Sequence, residues 1–306
     1  MQKLIAVVGP TGSGKTKLAV ELAKKFNGVI ISADSRQVYR GLNIGTGKIT
    51  KKETRGIPHH LLDVANPQKQ FSVAEYQILV QKKIDEIISR GKTPIICGGT
   101  GLYIDVLLGK ISIPDVPPDP QLRKKLKKKS VEELFALLKK LDAKRVENID
   151  SKNPRRLIRA IEIANAKRNE NHDPRRSPRR EGEAVGIFAS RSVCWIGLTL
   201  PPEKLKKKIT IRLLARMSRG MIAEVRRLHK EGLSWRRCEE LGLEYRFISR
   251  YLRKLLTKRE MTEKLQTEIW RYSKRQMQWF KRNKDIRWFN SSQKAQIYAM
   301  LKKKGD

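Results

Sequence analysis

Residues Gly9 to Thr16 read G-P-T-G-S-G-K-T, and that spacing is suited to gripping an anion. Gly9, Gly12 and Gly14 let backbone N–H groups turn toward phosphate oxygens, with Pro10, Thr11 and Ser13 completing the cradle. Lys15 reaches the phosphate oxygens, and the Thr16 hydroxyl is the expected Mg²⁺ ligand. The loop follows an apolar run, Leu4 to Val8, and opens a helix whose N-terminal dipole end also favours negative charge. The motif specifies a diphosphate. Most such loops hold ATP or GTP, but an ATPase also needs an acid at the end of an apolar strand. Here "PIICGG" ends in glycines at that place, and Leu61-Leu62-Asp63 is too short a run to replace it.

Other groups could do chemistry beside the loop. Asp34 follows the apolar run Val29-Ile30-Ile31, at the edge where open α/β sheets bind ligands. It either accepts a proton or caps its own loop beside Ser35. Thr100, after the run Pro94 to Cys97, reaches the same edge as a site residue or as an ordinary turn threonine. Arg155, Arg156 and Arg159 share one helix face at about 100° per residue, with Leu157, Ile158 and Ile161 opposite. That face is either solvated or in contact with phosphates. In "YSKRQMQWFKR" the rings of Tyr272, Trp279 and Phe280 continue a core stripe of Met261, Leu265 and Ile269. The cations Lys274, Arg275, Lys281 and Arg282 are left for RNA or a structural partner. Cys97, Cys194 and Cys238 are scattered and read as reduced core thiols; with only four histidines, and His59-His60 far from any cysteine pair, no zinc site is expected.

The elements that must position these groups can be read from period and caps. Leu18, Leu22 and Phe26 recur every fourth residue, so a helix starts at Lys15 and is expected to stop at Gly28. Capping boxes stand at Ser72/Glu75, Ser130/Glu133 and Thr257/Glu260. The first opens a helix with core positions Val73, Tyr76, Val80, Ile84 and Ile87, closed by Gly91. The second opens one with the stripe Val131, Leu134, Phe135, Leu138 and Leu141. "PDVPPDP", Pro114 to Pro120, is expected to be a rigid linker. Asn153-Pro154 is expected to start a helix. His172 to Gly186 lacks apolar period and reads as a basic loop, and Val193 to Leu200 returns as a strand. The alternation predicts an α/β fold: a parallel-sheet, P-loop NTPase-like core over 1–114, a helical insertion over 115–191, and 192–306 completing the core with a helical C-terminal region.

The 306 residues carry 68 Lys and Arg against 31 Asp and Glu, a net charge of +37. Such an excess speaks of partners, with nucleic acid first and an anionic membrane surface second. No apolar run reaches the length of a spanning helix and no leader layout opens the chain, so a cytoplasmic protein is expected.

In order along the chain, "GPTGSGKT", "SADSRQVYRGLNIGTGK", "HHLLDV", "FSVAEY", "GGTGLY", "NPRRLIRAIEI" and "KRQMQWF" resemble the tRNA dimethylallyltransferases, also called tRNA isopentenyltransferases. The resemblance implies that the loop Gly9–Thr16 holds the diphosphate of dimethylallyl diphosphate, with Mg²⁺. It implies that the acceptor is the exocyclic amine of the adenosine 3′ of the anticodon in the tRNA anticodon stem-loop. By the same resemblance Asp34 is the general base and Thr100 lines the reaction channel. Arg212, in "ITIRLLARMSRGMIAEV", holds the leaving diphosphate. Asp34, Ser35, Arg36, Gln37, Thr100, Arg123 and the stretch Arg155, Arg156, Leu157, Ile158, Arg159 contact tRNA, and the insertion is a tRNA-binding domain. A monomer is expected. One departure is visible: where the family has a Gly-Tyr-Arg-like run, this chain reads "LGLEYR", Leu241 to Arg246. The alternatives are an isopentenyltransferase on free adenine nucleotides, which needs no such charge, and a P-loop small-molecule kinase or ATPase.

Overall fold

A computed structural model describes residues 4–170 and 192–303. It divides into two compact units, Met1–Ile111 with Val185–Asp306, and Ser112–Ala184. The basic loop expected at 172–186 lies outside the described residues.

The first unit begins with β1 (Leu4–Val8), α1 (Lys15–Lys25), β2 (Gly28–Ala33), α2 (Lys51–Thr54), β3 (His59–His60), α3 (Val73–Ser89), β4 (Thr93–Gly98) and α4 (Gly101–Leu107). The second unit holds α5 (Pro120–Leu126), α6 (Val131–Leu141), α7 (Ala143–Val146) and α8 (Pro154–Glu170). The first unit then resumes with β5 (Val193–Leu198), α9 (Pro202–Ser218), α10 (Met221–Lys230), α11 (Trp235–Glu240), α12 (Leu243–Leu252), α13 (Lys258–Lys281), β6 (Arg287–Phe289) and α14 (Lys294–Lys303).

The six strands pair in parallel, in the order β3-β2-β4-β1-β5-β6. A parallel sheet is covered on both faces, so its inner strands are apolar throughout. β1 and β2 are buried at every residue. Alternate side chains go to opposite faces. Leu4, Ala6, Val8, Ile31 and Ile96 pack with Tyr76, Val80 and Ile84 of α3 and Ile104 of α4. Ile5, Val7, Ile30, Ile95 and Ile196 pack with Leu18 and Leu22 of α1 and Ile297 of α14. A further core joins α9 to α13 with Val38, Tyr39 and Leu42 from the chain after β2. All three cysteines are free and buried. Among the described residues no helix is long and apolar enough to cross a membrane.

The three expected capping boxes form, and Thr50/Glu53 makes a fourth. Several expectations are corrected. Gly28 does not stop α1. Asn27 makes the left-handed turn at φ 46°, and Gly28 is the first residue of β2, where a Cβ would lie 2.6 Å from the Ile95 side chain. β3 and β6 are too short for any period to reveal them. β5 ends at Leu198 rather than Leu200. Pro120 belongs to a helix and not to the linker: Asp119 Oδ1 accepts the N–H of Gln121 and of Leu122, each at 2.9 Å, and starts α5. Tyr272 leaves the core stripe expected for it and is exposed, whereas Phe280 is buried.

Candidate active site

The strand register assembles the edge. Val8 pairs with Gly98, and Gly98 with Ala33. Gly9, Asp34 and Gly99-Thr100 therefore leave the sheet side by side at its carboxyl edge, where such folds place their ligands.

Gly9 has φ 146°, and a Cβ there would strike the Leu198 carbonyl, so the loop can lie this close to β5 only with glycine. Gly14, at φ 98°, turns the chain into α1 with no side-chain cap, so the first N–H groups of the helix remain for an anion. Ser13 is buried with an unpartnered hydroxyl. Lys15 Nζ donates to the Pro10 carbonyl at 3.2 Å. Its pKa is lowered, chiefly by burial; Cys97 and Asp34 act to raise it and Arg212 to lower it. The charges of both Asp34 and Arg212 thus bear on Lys15. Cys97, under the loop, is pushed up to about 11 by burial, against the pull of Lys15 and a hydrogen bond with Thr16.

Asp34 Oδ1 accepts the N–H of Arg36 at 2.9 Å and of Gln37 at 3.4 Å. The carboxylate does cap its loop, and it does so with one oxygen. Thr100 Oγ1 accepts the Ser35 N–H at 3.0 Å, and the Thr100 N–H donates to the Ala33 carbonyl at 3.2 Å. Thr100 thereby fixes the segment that carries Asp34, Ser35 and Arg36.

The second wall is α9. Lys208, Arg212 and Arg216 recur every fourth residue and line one face. A Cβ on Gly14 would lie 3.9 Å from Lys208 Nζ, and one on Gly47 3.5 Å from Arg212. Part of Arg212 reaches solvent, but burial of its guanidinium, then the neighbouring Arg216, lowers its pKa, with Glu53 opposing. Arg216 donates to the Gly45 carbonyl at 2.6 Å and to Glu244 at 2.9 Å. The loop after Leu42 is tied down by Glu224, which is 7% exposed. Its carboxylate accepts the N–H groups of Asn43, Ile44 and Gly45 at 3.0, 2.7 and 2.9 Å and the Tyr245 hydroxyl at 2.8 Å. "LGLEYR" therefore builds the site: Glu244 pairs with Arg216, and Tyr245 is buried under Gly45.

Sequence reasoning passed over four of these residues. Lys208 stands in a run of three lysines, with nothing to mark it. Arg216 and Glu224 show themselves only through the loop that they hold. Gln276 lies within a quoted motif but between cations that drew attention away from it. Its Oε1 accepts the Thr11 N–H at 2.8 Å and its Nε2 donates to the Gly99 carbonyl at 2.8 Å, clamping the glycine loop to the end of β4.

The residues of the second unit that the resemblance assigns to tRNA have internal partners of their own. Leu157 is fully buried and Ile158 nearly so, both in the core of that unit. Glu162, whose side chain is 1% exposed, accepts from Arg123 at 2.6 and 2.7 Å and from Arg159 at 3.2 Å. Arg159 also donates to the Val116 carbonyl at 2.8 Å. Arg155 and Arg156 are exposed, and Arg156 lies 3.7 Å from Asp150.

A family model described as IPP transferase matches residues 37–283, most of this chain. The chain belongs to the IPP transferase family. It is 40% identical over 290 residues to the tRNA dimethylallyltransferase of Anoxybacillus flavithermus, covering 94% of this chain and 90% of the relative. It is 42% identical over 285 residues to tRNA dimethylallyltransferase 1 of Syntrophus aciditrophicus, covering 92% and 90%. Among solved structures it matches the tRNA isopentenylpyrophosphate transferase of Bacillus halodurans with TM-score 0.72 and 34% identity over 99% and 97% of the two chains. A eukaryotic dimethylallyltransferase described as acting on tRNA shares the fold at TM-score 0.78 and 24% identity, over 96% of this chain and 78% of that one.

Proposed function

We propose that this IPP transferase moves a dimethylallyl group from dimethylallyl diphosphate to the exocyclic amine of the tRNA adenosine 3′ of the anticodon, releasing pyrophosphate. The observation that carries the reading is the shared sheet edge: a diphosphate loop, a carboxylate and a wall of cations converge there, and Lys15 feels both Asp34 and Arg212. Relatives over nearly the whole chain are named tRNA dimethylallyltransferases.

The chemistry follows from charge. The loop N–H groups, Lys15, Lys208 and Arg212 neutralise the diphosphate as its bond to the allylic carbon breaks. The adenine amine attacks that carbon in line. The amine is a weak nucleophile, so its proton leaves as the new C–N bond forms, and Asp34 accepts it. Asp34 spends Oδ1 on its own loop, which leaves Oδ2 for that proton. The target base must leave the stack of the anticodon loop to reach this edge. Mg²⁺, when bound, would add positive charge to the leaving group. The residue that would hold it is Thr16, in the first turn of α1, with its other ligands drawn from the substrate and water. That mode suits this chain, because no group of three His, Cys, Asp or Glu side chains among the described residues could make a protein cage. Two further proposals go with the reading. The chain acts as a monomer. It works in the cytoplasm, which suits three buried free thiols.

The test is pyrophosphate release with each substrate pair, followed by mass spectrometry of the nucleosides. Release that needs both tRNA and dimethylallyl diphosphate, with dimethylallyl-adenosine in the digest, is expected. Release with free adenine nucleotides alone, or orthophosphate from ATP without tRNA, would overturn it.

A further inference from the structure

Tyr272 is the exception on the long helix α13. The inward stripe of that helix is buried at Met261, Leu265, Ile269, Ser273, Gln276 and Phe280. Tyr272 lies beside that stripe, one turn before Gln276, yet 37% of it is open to solvent. Its position relative to the site is fixed at both ends. Gln276, four residues on, reaches the glycine loop and the end of β4. The charged groups that bear on the Tyr272 phenol are Asp34, Arg36, Glu244 and Arg275. Arg36 in turn lies against Gly242, at the start of α12. The ring thus stands on the wall of the site reached by the Asp34 segment, the start of α12 and α13.

Its surroundings are those of a recess. Burial, then the Asp34 carboxylate, pushes the Tyr272 phenol well above its ordinary range. The residue as a whole keeps 37% of its surface open to solvent. The Arg275 guanidinium carbon lies 6.0 Å from the ring centroid, at the outer limit of a cation–π contact. An accessible aromatic face inside a cationic recess is what an unpaired base stacks upon, because every base has a π-face. The Asp34 carboxylate, just past the carboxyl end of β2, is the first of the charged groups that bear on this phenol.

We propose that Tyr272 is the platform on which the acceptor adenine stacks while its exocyclic nitrogen faces Asp34. The inference rests on the function proposed above. Tyr272 supplies no proton and makes no bond to the reacting atoms. It is a positioning residue, and its contribution belongs to tRNA recognition rather than to the diphosphate half of the reaction.

Steady-state kinetics on an anticodon stem-loop separate the possibilities. Tyr272→Ala should lower kcat/KM for RNA by about 5- to 150-fold, the range of one lost base–aromatic stack. The KM for dimethylallyl diphosphate should stay unchanged. Tyr272→Phe and Tyr272→Trp should remain within about 3-fold of the parent, since each keeps a ring. A stem-loop with 2-aminopurine at the acceptor position should fluoresce more brightly when bound to Tyr272→Ala than to the parent, because the quenching ring is gone. An unchanged kcat/KM in Tyr272→Ala would overturn the proposal. So would a loss in Tyr272→Phe equal to that in Tyr272→Ala, which would assign the role to the hydroxyl. Equal losses for both substrates would also overturn it, by showing a merely structural role. If the parent protein itself releases no pyrophosphate with tRNA, the failure lies with the proposed function and not with Tyr272.

Discussion

Asp34 caps its own loop, and in the proposed function the same side chain is the base. Its Oδ1 fixes the Arg36 and Gln37 amides, and the carboxylate still reaches Lys15 electrostatically. Asp34→Asn keeps an oxygen for those amides but removes the proton acceptor. Its turnover in single-turnover assays should fall by ~10²–10⁴, with dimethylallyl diphosphate binding little changed. Wild-type turnover would show that another group takes the proton. Gln276 makes a different prediction. Gln276→Glu keeps an acceptor for Thr11 but sets a carboxylate against the Gly99 carbonyl and near the diphosphate loop. Pyrophosphate affinity, measured by titration calorimetry, should weaken about 10-fold or more, as befits a repelled partner in a buried site.

The loop after Leu42 is held by a helix far away in sequence. One Glu224 carboxylate satisfies three consecutive amides and a tyrosine hydroxyl, and the loop then abuts Arg212 and supplies a carbonyl to Arg216. Glu224→Gln puts an N–H₂ group where donors converge. It should destabilise the fold by about 1–3 kcal/mol, read as a lower urea midpoint at unchanged slope. Tyr245→Phe removes one of the four bonds and should cost about 1 kcal/mol. If Glu224→Gln matches the parent midpoint, the carboxylate does not hold this loop. The glycines of "GGTGLY" also act between elements. A Cβ on Gly101 would run into the Trp279 ring, so Gly101→Ala should push α13 away from α4 and lower the thermal midpoint by an overpacking cost of about 1–3 kcal/mol.

At the scale of the molecule the arginines of the second unit differ in how far they are buried. Arg123 and Arg159 are committed to the buried Glu162, whereas Arg155 and Arg156 are exposed on α8. If these two contact RNA phosphates, the double variant Arg155→Gln, Arg156→Gln should bind the stem-loop more weakly. It should also flatten the plot of log affinity against log salt by about 1.4 to 1.8, using ~0.7–0.9 per phosphate. Filter binding between about 50 and 200 mM salt checks it. An unaltered slope would mean that α8 presents only a solvated face.

The sequence determined the anion cradle, the parallel core and the caps, because each is written in neighbouring residues. Three glycines before Lys15 make a loop whatever surrounds them, and Ser72/Glu75 closes a box within four residues. The family likeness was equally legible, since it needs only the order of the motifs. Tertiary structure decided what each charged residue faces. Nothing in "GMIAEV" says that Glu224 binds amides some 180 positions earlier. Nothing in "NPRRLIRAIEI" says that Glu162 claims Arg159 and leaves Arg155 and Arg156 exposed. Period alone put Tyr272 in the core; the packing of α13 left part of it in the open. Propensity and spacing act over a few residues, whereas the partner of a buried carboxylate is set by which distant segments the sheet brings together. That choice is made by burial of the core as a whole.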